Sequence, residues 1–310
     1  MTLDPAPRIV VLVPCYNEAT TVARVVRDFR AALPLAEIHV FDNNSTDGTA
    51  EIAREAGAVV SFEERKGKGN VVRRMFADVE ADLYVMVDGD ATYDASAAPR
   101  LVAKAQEGGY DLVNVARIEN GEKAYRLGHR FGNRLLTGLV GRVFGTRTVD
   151  MLSGYKLFSR RFVKSFPGTS SGFGIETEIM IHALELGIPI AEISAPYGER
   201  PEDSPSKLQT WRDGFIILRL IGQLVRRERP LEFFGMAAGV LVLASLLLGL
   251  PVVFEFMRTG LVPRLPTAVL ASALMLSAML SVAVGLILEA VTHSRRELKR
   301  LAYLAVLRRG

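Results

Sequence analysis

The sequence is poor in the side chains that build disulfides, zinc sites and nucleophilic triads. One cysteine, Cys15, stands among 310 residues, which excludes an internal disulfide and fits a reducing compartment. A small buried residue at a strand end is the expectation for it. The four histidines are scattered, and none lies at zinc spacing from the cysteine. Met1 to Pro7 lack the apolar core of a signal peptide. There is no internal repeat and no low-complexity tract. The net charge is only +4, and no nucleic-acid partner is expected.

Apolar side chains are plentiful instead. They make up 49% of the chain, and residues 233–254 and 267–291 hold most of the excess. Each segment is about long enough to cross ~30 Å of hydrocarbon at ~1.5 Å per residue. The linker Arg258–Pro266 is too short for a domain, so the pair reads as a hairpin. Arg226, Arg227 and Arg229 precede it and Arg295, Arg296, Lys299 and Arg300 follow, against Arg258 and Arg264 in the turn. That bias is expected to put both termini in the cytoplasm, and the expected location is the inner membrane. The competing reading is two buried helices of a soluble domain. Residues 208–225 read as a helix in the membrane interface, with a docked core helix as the alternative. The expected division is 1–207 for a cytoplasmic domain, 208–230 for a juxtamembrane helix, 231–292 for two membrane helices and 293–310 for a basic tail.

Ahead of residue 208, strands and helices alternate. Strands are expected at Arg8–Val13, Ile38–Phe41, Ala58–Phe62, Leu83–Val87, Asp111–Ala116 and Ile190–Ala195. Helices are expected at Thr20–Leu33, Thr49–Ala56, Asn70–Val79, Ala95–Gln106, Tyr125–Phe144 and Glu176–Leu186. Such alternation argues for an α/β fold with a mostly parallel sheet flanked by helices.

Asp88-Gly89-Asp90 follows the apolar run Leu83 to Val87, where open α/β sheets bind ligands. Two carboxylates there suit Mg²⁺ or Mn²⁺, and such an ion clamps a diphosphate. Val13-Pro14-Cys15-Tyr16-Asn17-Glu18 ends the first strand, and Asp42-Asn43-Asn44-Ser45-Thr46-Asp47-Gly48-Thr49 ends the second. Each reads equally as a capping turn. Capping does not require Glu18 and Asp42 to converge on Asp88, whereas a nucleotide does. Lys66-Gly67-Lys68-Gly69-Asn70 adds a basic loop at a helix start, suited to a phosphate or to orienting an aspartate.

Together these motifs resemble the inverting family 2 glycosyltransferases of the GT-A type. Asp150-Met151-Leu152-Ser153-Gly154-Tyr155, Phe173-Gly174-Ile175-Glu176-Thr177-Glu178 and the run Glu199 to Lys207 extend the likeness to the polyprenyl-phosphate branch. That branch includes dolichyl-phosphate mannose synthases and bactoprenol glucosyltransferases, and the likeness covers residues 8 to about 213. The resemblance implies a sugar moved from a nucleotide sugar, UDP favoured over GDP, to a polyprenyl phosphate. It implies that Pro14, Tyr16, Glu18 and Asp42 hold the nucleoside, with Lys68 and Asp88 at the donor. It assigns Asp88 and Asp90 to the metal. Arg117 would meet the acceptor phosphate, with Arg130, Arg200 and Lys207 as further candidates. Asp150 would be a base or an orienting group. Thr92 stands where some members have glutamine. A homo-oligomer is compatible with this reading. A processive synthase would need Gln-x-x-Arg-Trp, which Gln209-Thr210-Trp211-Arg212 does not supply. A nucleotidyltransferase would need a glycine-rich first turn, and a non-enzymatic nucleotide-binding scaffold would not need Asp88 and Asp90 together.

Overall fold

The structure, a computed structural model, describes residues 7–119, 138, 150–169, 174–198, 226 and 229–307. The expected helices at Tyr125–Phe144 and 208–225 lie outside the described residues. The chain divides into two units, residues 218–298 and the remainder.

The first unit is built on a seven-stranded sheet in the order β3-β2-β1-β4-β6-β5-β7. The strands are β1 (Ile9–Cys15), β2 (Glu37–Asp42), β3 (Val59–Phe62), β4 (Leu83–Met86), β5 (Leu112–Glu119), β6 (Lys156–Ser159) and β7 (Ile190–Tyr197). β1, β2, β3 and β4 pair in parallel, as do β5 and β7. β6 is antiparallel to both its neighbours, β4 and β5. Val10, Val11, Leu12 and Val13 are fully buried, as a strand covered on both faces requires. The helices are α1 (Val22–Ala32), α2 (Thr49–Glu55), α3 (Lys68–Asp78), α4 (Ala98–Gly108), α5 (Arg160–Ser165) and α6 (Ile175–Leu186). α1 turns Val22, Val25, Val26 and Phe29 inward, the spacing that the sequence announces.

Three boundaries differ from expectation in ways that matter for the site. β1 runs on through Cys15, so Pro14 lies inside the strand, opposite Phe41, rather than in the turn. α3 begins at Lys68, two residues earlier than its apolar pattern, and puts that lysine on a helix instead of in a loop. β5 extends to Glu119, so Arg117 sits within the strand rather than at its end. β6 and α5 were not expected at all. Ser159 caps α5 by accepting from the Phe162 amide, a signal present in the sequence.

The residues from Lys299 on belong to this same unit. Lys299 Nζ pairs with the buried Glu185 at 2.5 Å, and the Tyr303 hydroxyl donates to Asp111 at 2.6 Å. The stretch 293–305 is helical, a part of the last helix of the chain.

The second unit holds α7 (Pro230–Thr259) and α8 (Leu265–Ala305) as far as Leu298, both helices long and apolar enough to cross a membrane. Ser245 Oγ donates to the Ala271 carbonyl at 2.8 Å and Ser281 Oγ to the Phe234 carbonyl at 2.9 Å, so the helices pack antiparallel. Their shared seam is Ala238, Ser245 and Val252 against Ala271, Ala278, Gly285 and Thr292. Small residues recur every seven positions, as close helix contact in lipid requires. The large side chains, such as Leu247, Phe254, Met279 and Ile287, face outward.

Candidate active site

The strand directions gather the expected residues at one sheet edge. β1, β2 and β4 all end there, presenting Glu18, Asp42, Asp88 and Asp90 just beyond. β5 is antiparallel to β6, as β4 is, so Arg117 also points toward this edge. Because β6 runs the other way, its start and the Asp150–Gly154 turn before it arrive at the same place.

Most of the polar side chains in the first two turns tie the turns together. The Asn17 amide donates to Ser45 Oγ at 2.9 Å, and Asn17 Oδ1 accepts from the Thr46 amide at 2.8 Å. The Glu18 amide donates to Thr49 Oγ1 and the Ala19 amide to Asp47. Asn43 then bridges to the third turn, donating to the Glu63 and Arg65 carbonyls and accepting from the Gly67 amide at 2.7 Å. The loop that leads into Lys68 is thus held by Asn43, the residue just after β2.

Asp42 is different. It is buried, its Oδ2 accepts a long bond from the Ser45 amide at 3.2 Å, and its Oδ1 has no partner among the described residues. A buried acceptor left open is costly unless a ligand completes it. Cys15 lies among the acidic groups. Burial, and then the Glu18, Asp42, Asp88 and Asp90 carboxylates, push its thiol well above the usual range, so it is no nucleophile. It also explains the middle residue of Asp-Gly-Asp: a Cβ on Gly89 would fall 2.6 Å from Cys15 Sγ. Thr21 Oγ1 donates to the Gly89 carbonyl at 2.7 Å and fixes this turn from α1.

Asp90 is buried and accepts from Thr92 Oγ1 at 2.6 Å, so Thr92 supports the carboxylate through its own hydroxyl. Asp88 is more open. Its Oδ2 packs against Gly154, where a Cβ would overlap the carboxylate, so glycine is required in the Asp150–Gly154 turn. Its Oδ1 carries Lys68 Nζ at 2.5 Å, and the same ammonium lies 2.6 Å from Glu176 Oε1. Burial opposes the charge on Lys68, but the two carboxylates outweigh it and raise its pKa. Asp88 and Asp90 offer oxygen donors alone, which fits a hard divalent ion. Among the described residues no group of three or more His, Cys, Asp or Glu could hold a metal ion, so the remaining donors would be diphosphate and water.

Arg117 and Asp150 form a two-point pair, Nε to Oδ2 at 2.6 Å and Nη2 to Oδ1 at 2.9 Å. Arg117 also lies over the Tyr197 ring, 5.3 Å from its centroid. Burial works against the Asp150 charge, but Arg117 and then Lys156 hold its carboxyl below the ordinary range. Lys156, absent from the sequence reasoning, is fully buried beneath this pair. Its Nζ donates to Asn114 Oδ1 at 2.5 Å, and Asn114 donates to the Asp150 carbonyl and to Glu192. Burial lowers the Lys156 pKa to about 8 despite Asp150 and Glu176. A lysine opening the run Lys156-Leu157-Phe158 was the available signal. Arg130, Arg200 and Lys207 lie outside the described residues.

Comparison with known proteins identifies the family. The profile of Glycosyl transferase family 2 matches residues 10–166. The glycosyltransferase AglJ of Haloferax volcanii is 36% identical over 255 residues, covering 81% of this chain and 84% of its own. A dolichyl-phosphate hexose transferase of the same organism is 29% identical over 71% of this chain and 95% of its own. Glucosyl-3-phosphoglycerate synthase from Mycobacterium tuberculosis, in complex with Mn²⁺, UDP and glucosyl-3-phosphoglycerate, superposes with a TM-score of 0.57 at 25% identity. The match covers 72% of this chain and 80% of that one. With a GT-A-like sheet, its acidic edge and a profile match over half its length, the chain belongs to glycosyl transferase family 2.

Proposed function

We propose that this glycosyltransferase moves a sugar, with inversion at C1, from a nucleotide diphosphate sugar to the phosphate of a polyprenyl lipid. The donor half rests on one observation above all, the open Asp42 Oδ1 beside the Asp88–Asp90 turn on a neighbouring strand pair. A nucleoside N–H or hydroxyl would complete Asp42, with Pro14, Tyr16 and Glu18 around it. A uridine nucleotide is favoured, in keeping with the UDP of the neighbouring solved structure. Asp88 and Asp90 would hold Mg²⁺ or Mn²⁺, which when bound neutralises charge on the departing diphosphate.

The acceptor half is supported by the apolar helix pair, by the relative named for dolichyl phosphate, and by Arg117. An acceptor phosphate is already anionic, so no strong base is needed, and a carboxylate held below its normal pKa makes a poor one. Asp150 therefore serves by aiming the Arg117 fork at the phosphate, and Lys156 and Asn114 keep Asp150 in place. Arg130, Arg200 and Lys207 remain candidates for the same phosphate. The flanking arginines and lysines support a catalytic unit in the cytoplasm, on the inner membrane.

The test is a panel of nucleotide sugars offered with undecaprenyl phosphate, dolichyl phosphate or 3-phosphoglycerate in detergent, read by product mass. A lipid phosphosugar from wild type, lost in Asp90→Asn and in EDTA, is the expected result. Product on 3-phosphoglycerate alone would assign a soluble acceptor instead. Full activity in EDTA would remove the metal from the reading.

A further inference from the structure

We propose that Lys68 is a built-in competitor of the divalent cation at Asp88, and that Glu176 is the berth that keeps its ammonium when the cation arrives. The inference rests on the reading of Asp88 and Asp90 as metal ligands.

One oxygen of Asp88 is already engaged. Its Oδ2 packs against Gly154, where a Cβ would overlap the carboxylate. Oδ1 is bonded to Lys68 Nζ at 2.5 Å. A Mg²⁺ or Mn²⁺ ion binds a carboxylate oxygen at about 2.0–2.2 Å. With the ammonium left in place, two cations would share one carboxylate at close range, where Coulomb repulsion is weakly screened.

Leaving Asp88 does not strand the lysine, because Glu176 Oε1 already holds it at 2.6 Å. Glu176 is itself buried, and it opens α6, whose first turn also carries Glu178. Lys68 starts α3, so a modest change in its side chain moves the ammonium from Asp88 toward Glu176 without moving a helix. One lysine between two carboxylates leaves the trio with a formal charge of −1. With Asp90 counted the site stands at −2, so a divalent ion brings it to neutral and removes the repulsion that the incoming diphosphate would otherwise meet. The cation alone therefore binds weakly, and cation and nucleotide bind together. Glu176 acts here as a positioning residue: it keeps the freed ammonium beside the diphosphate.

The full-length chain in detergent can be titrated with Mn²⁺, following the free-ion EPR signal, with and without UDP. Lys68→Met is expected to tighten binding of Mn²⁺ alone by about tenfold and to reduce the gain that UDP brings. Glu176→Gln is expected to weaken Mn²⁺ alone severalfold, since the ammonium then has only Asp88. Should Lys68→Met unfold because two carboxylates are left unpaired, the double variant Lys68→Met/Glu176→Gln removes the charge and its berth together and should tighten Mn²⁺ likewise. Unchanged or weaker Mn²⁺ binding in the folded lysine variants would overturn the inference, and Lys68 would then only brace Asp88. The metal reading fails separately: wild type and Asp90→Asn would bind Mn²⁺ alike, with or without UDP.

Discussion

Arg117 and Asp150 meet edge to edge, two nitrogens to two oxygens, 33 residues apart in sequence and nearly out of reach of water. Asp150 thereby fixes the plane of the guanidinium, and its negative charge lets a buried arginine remain beside Lys156. A buried pair of this kind tolerates loss of one partner badly, at about 3–5 kcal/mol.

Arg117→Lys keeps the charge and loses the fork. It should fold, retain binding of the nucleotide sugar, and raise the KM for the lipid phosphate about tenfold or more. Asp150→Asn should act in the same direction, because the arginine keeps a hydrogen-bond partner but loses its ionic one. Steady-state kinetics with each substrate varied separately checks both. Lost nucleotide affinity with unchanged acceptor dependence would move Arg117 to the donor side.

Gly154→Ala places a methyl group where the Asp88 carboxylate lies. The expected outcome is a displaced Asp88 and a Mn²⁺-dependent UDP affinity reduced at least tenfold. Overpacking of this size costs about 1–3 kcal/mol of stability. A melting curve beside UDP titrations with and without Mn²⁺ separates the two effects. UDP affinity equal to wild type would mean that Asp88 can retreat without consequence.

His182 is buried edge-on to Phe162 and Phe166, with Ser165 Oγ 3.3 Å from its Nε2. Burial first, and then Lys299, lower its pKa to about 4. The unfolded chain takes up this proton near pH 6.5 and the folded one near pH 4, so acid favours unfolding between those values. Stability should fall as the pH drops through that window, by up to about 3 kcal/mol from this group. His182→Gln should flatten that limb of the unfolding free energy against pH. An unchanged slope would show that the imidazole titrates normally.

Topology can be checked with single cysteines at Thr259 and Ser294 in a Cys15→Ala background. Thr259 lies at the end of α7 toward the turn, and Ser294 lies near the other end of the hairpin, on α8. An impermeant maleimide should label the first on intact cells and the second only after permeabilisation. Labelling of both from one side would mean that the pair does not cross.

What the sequence could disclose followed from how local each signal is. β1, β2, β4 and α1 were legible because their periodicity is contained within a dozen residues, and Asp88 and Asp90 because they end such a strand. β6 was not: four residues placed antiparallel between β4 and β5 owe their role to partners about seventy and forty residues upstream. The Lys68–Glu176 bridge and the fit of Cys15 against Gly89 are likewise products of the assembled edge. The motif residues themselves divided in a way composition could not foresee. Asn17, Asn43, Ser45, Asp47 and Thr49 knit the turns, whereas Asp42 beside them keeps an oxygen without a partner among the described residues.

The seven-residue recurrence along α7 and α8 also limits how the hairpin can respond to its surroundings. Sliding one helix past the other while keeping small residues face to face requires a whole repeat, about 10 Å, or a third of a ~30 Å hydrocarbon layer. Shorter slips would set leucine against leucine and break the bonds from Ser245 and Ser281. The pair therefore cannot telescope. If the pair crosses a bilayer, as proposed, a thinner or thicker one has to be met by tilt or by deformation of the lipid, and membrane depth becomes a mechanical input.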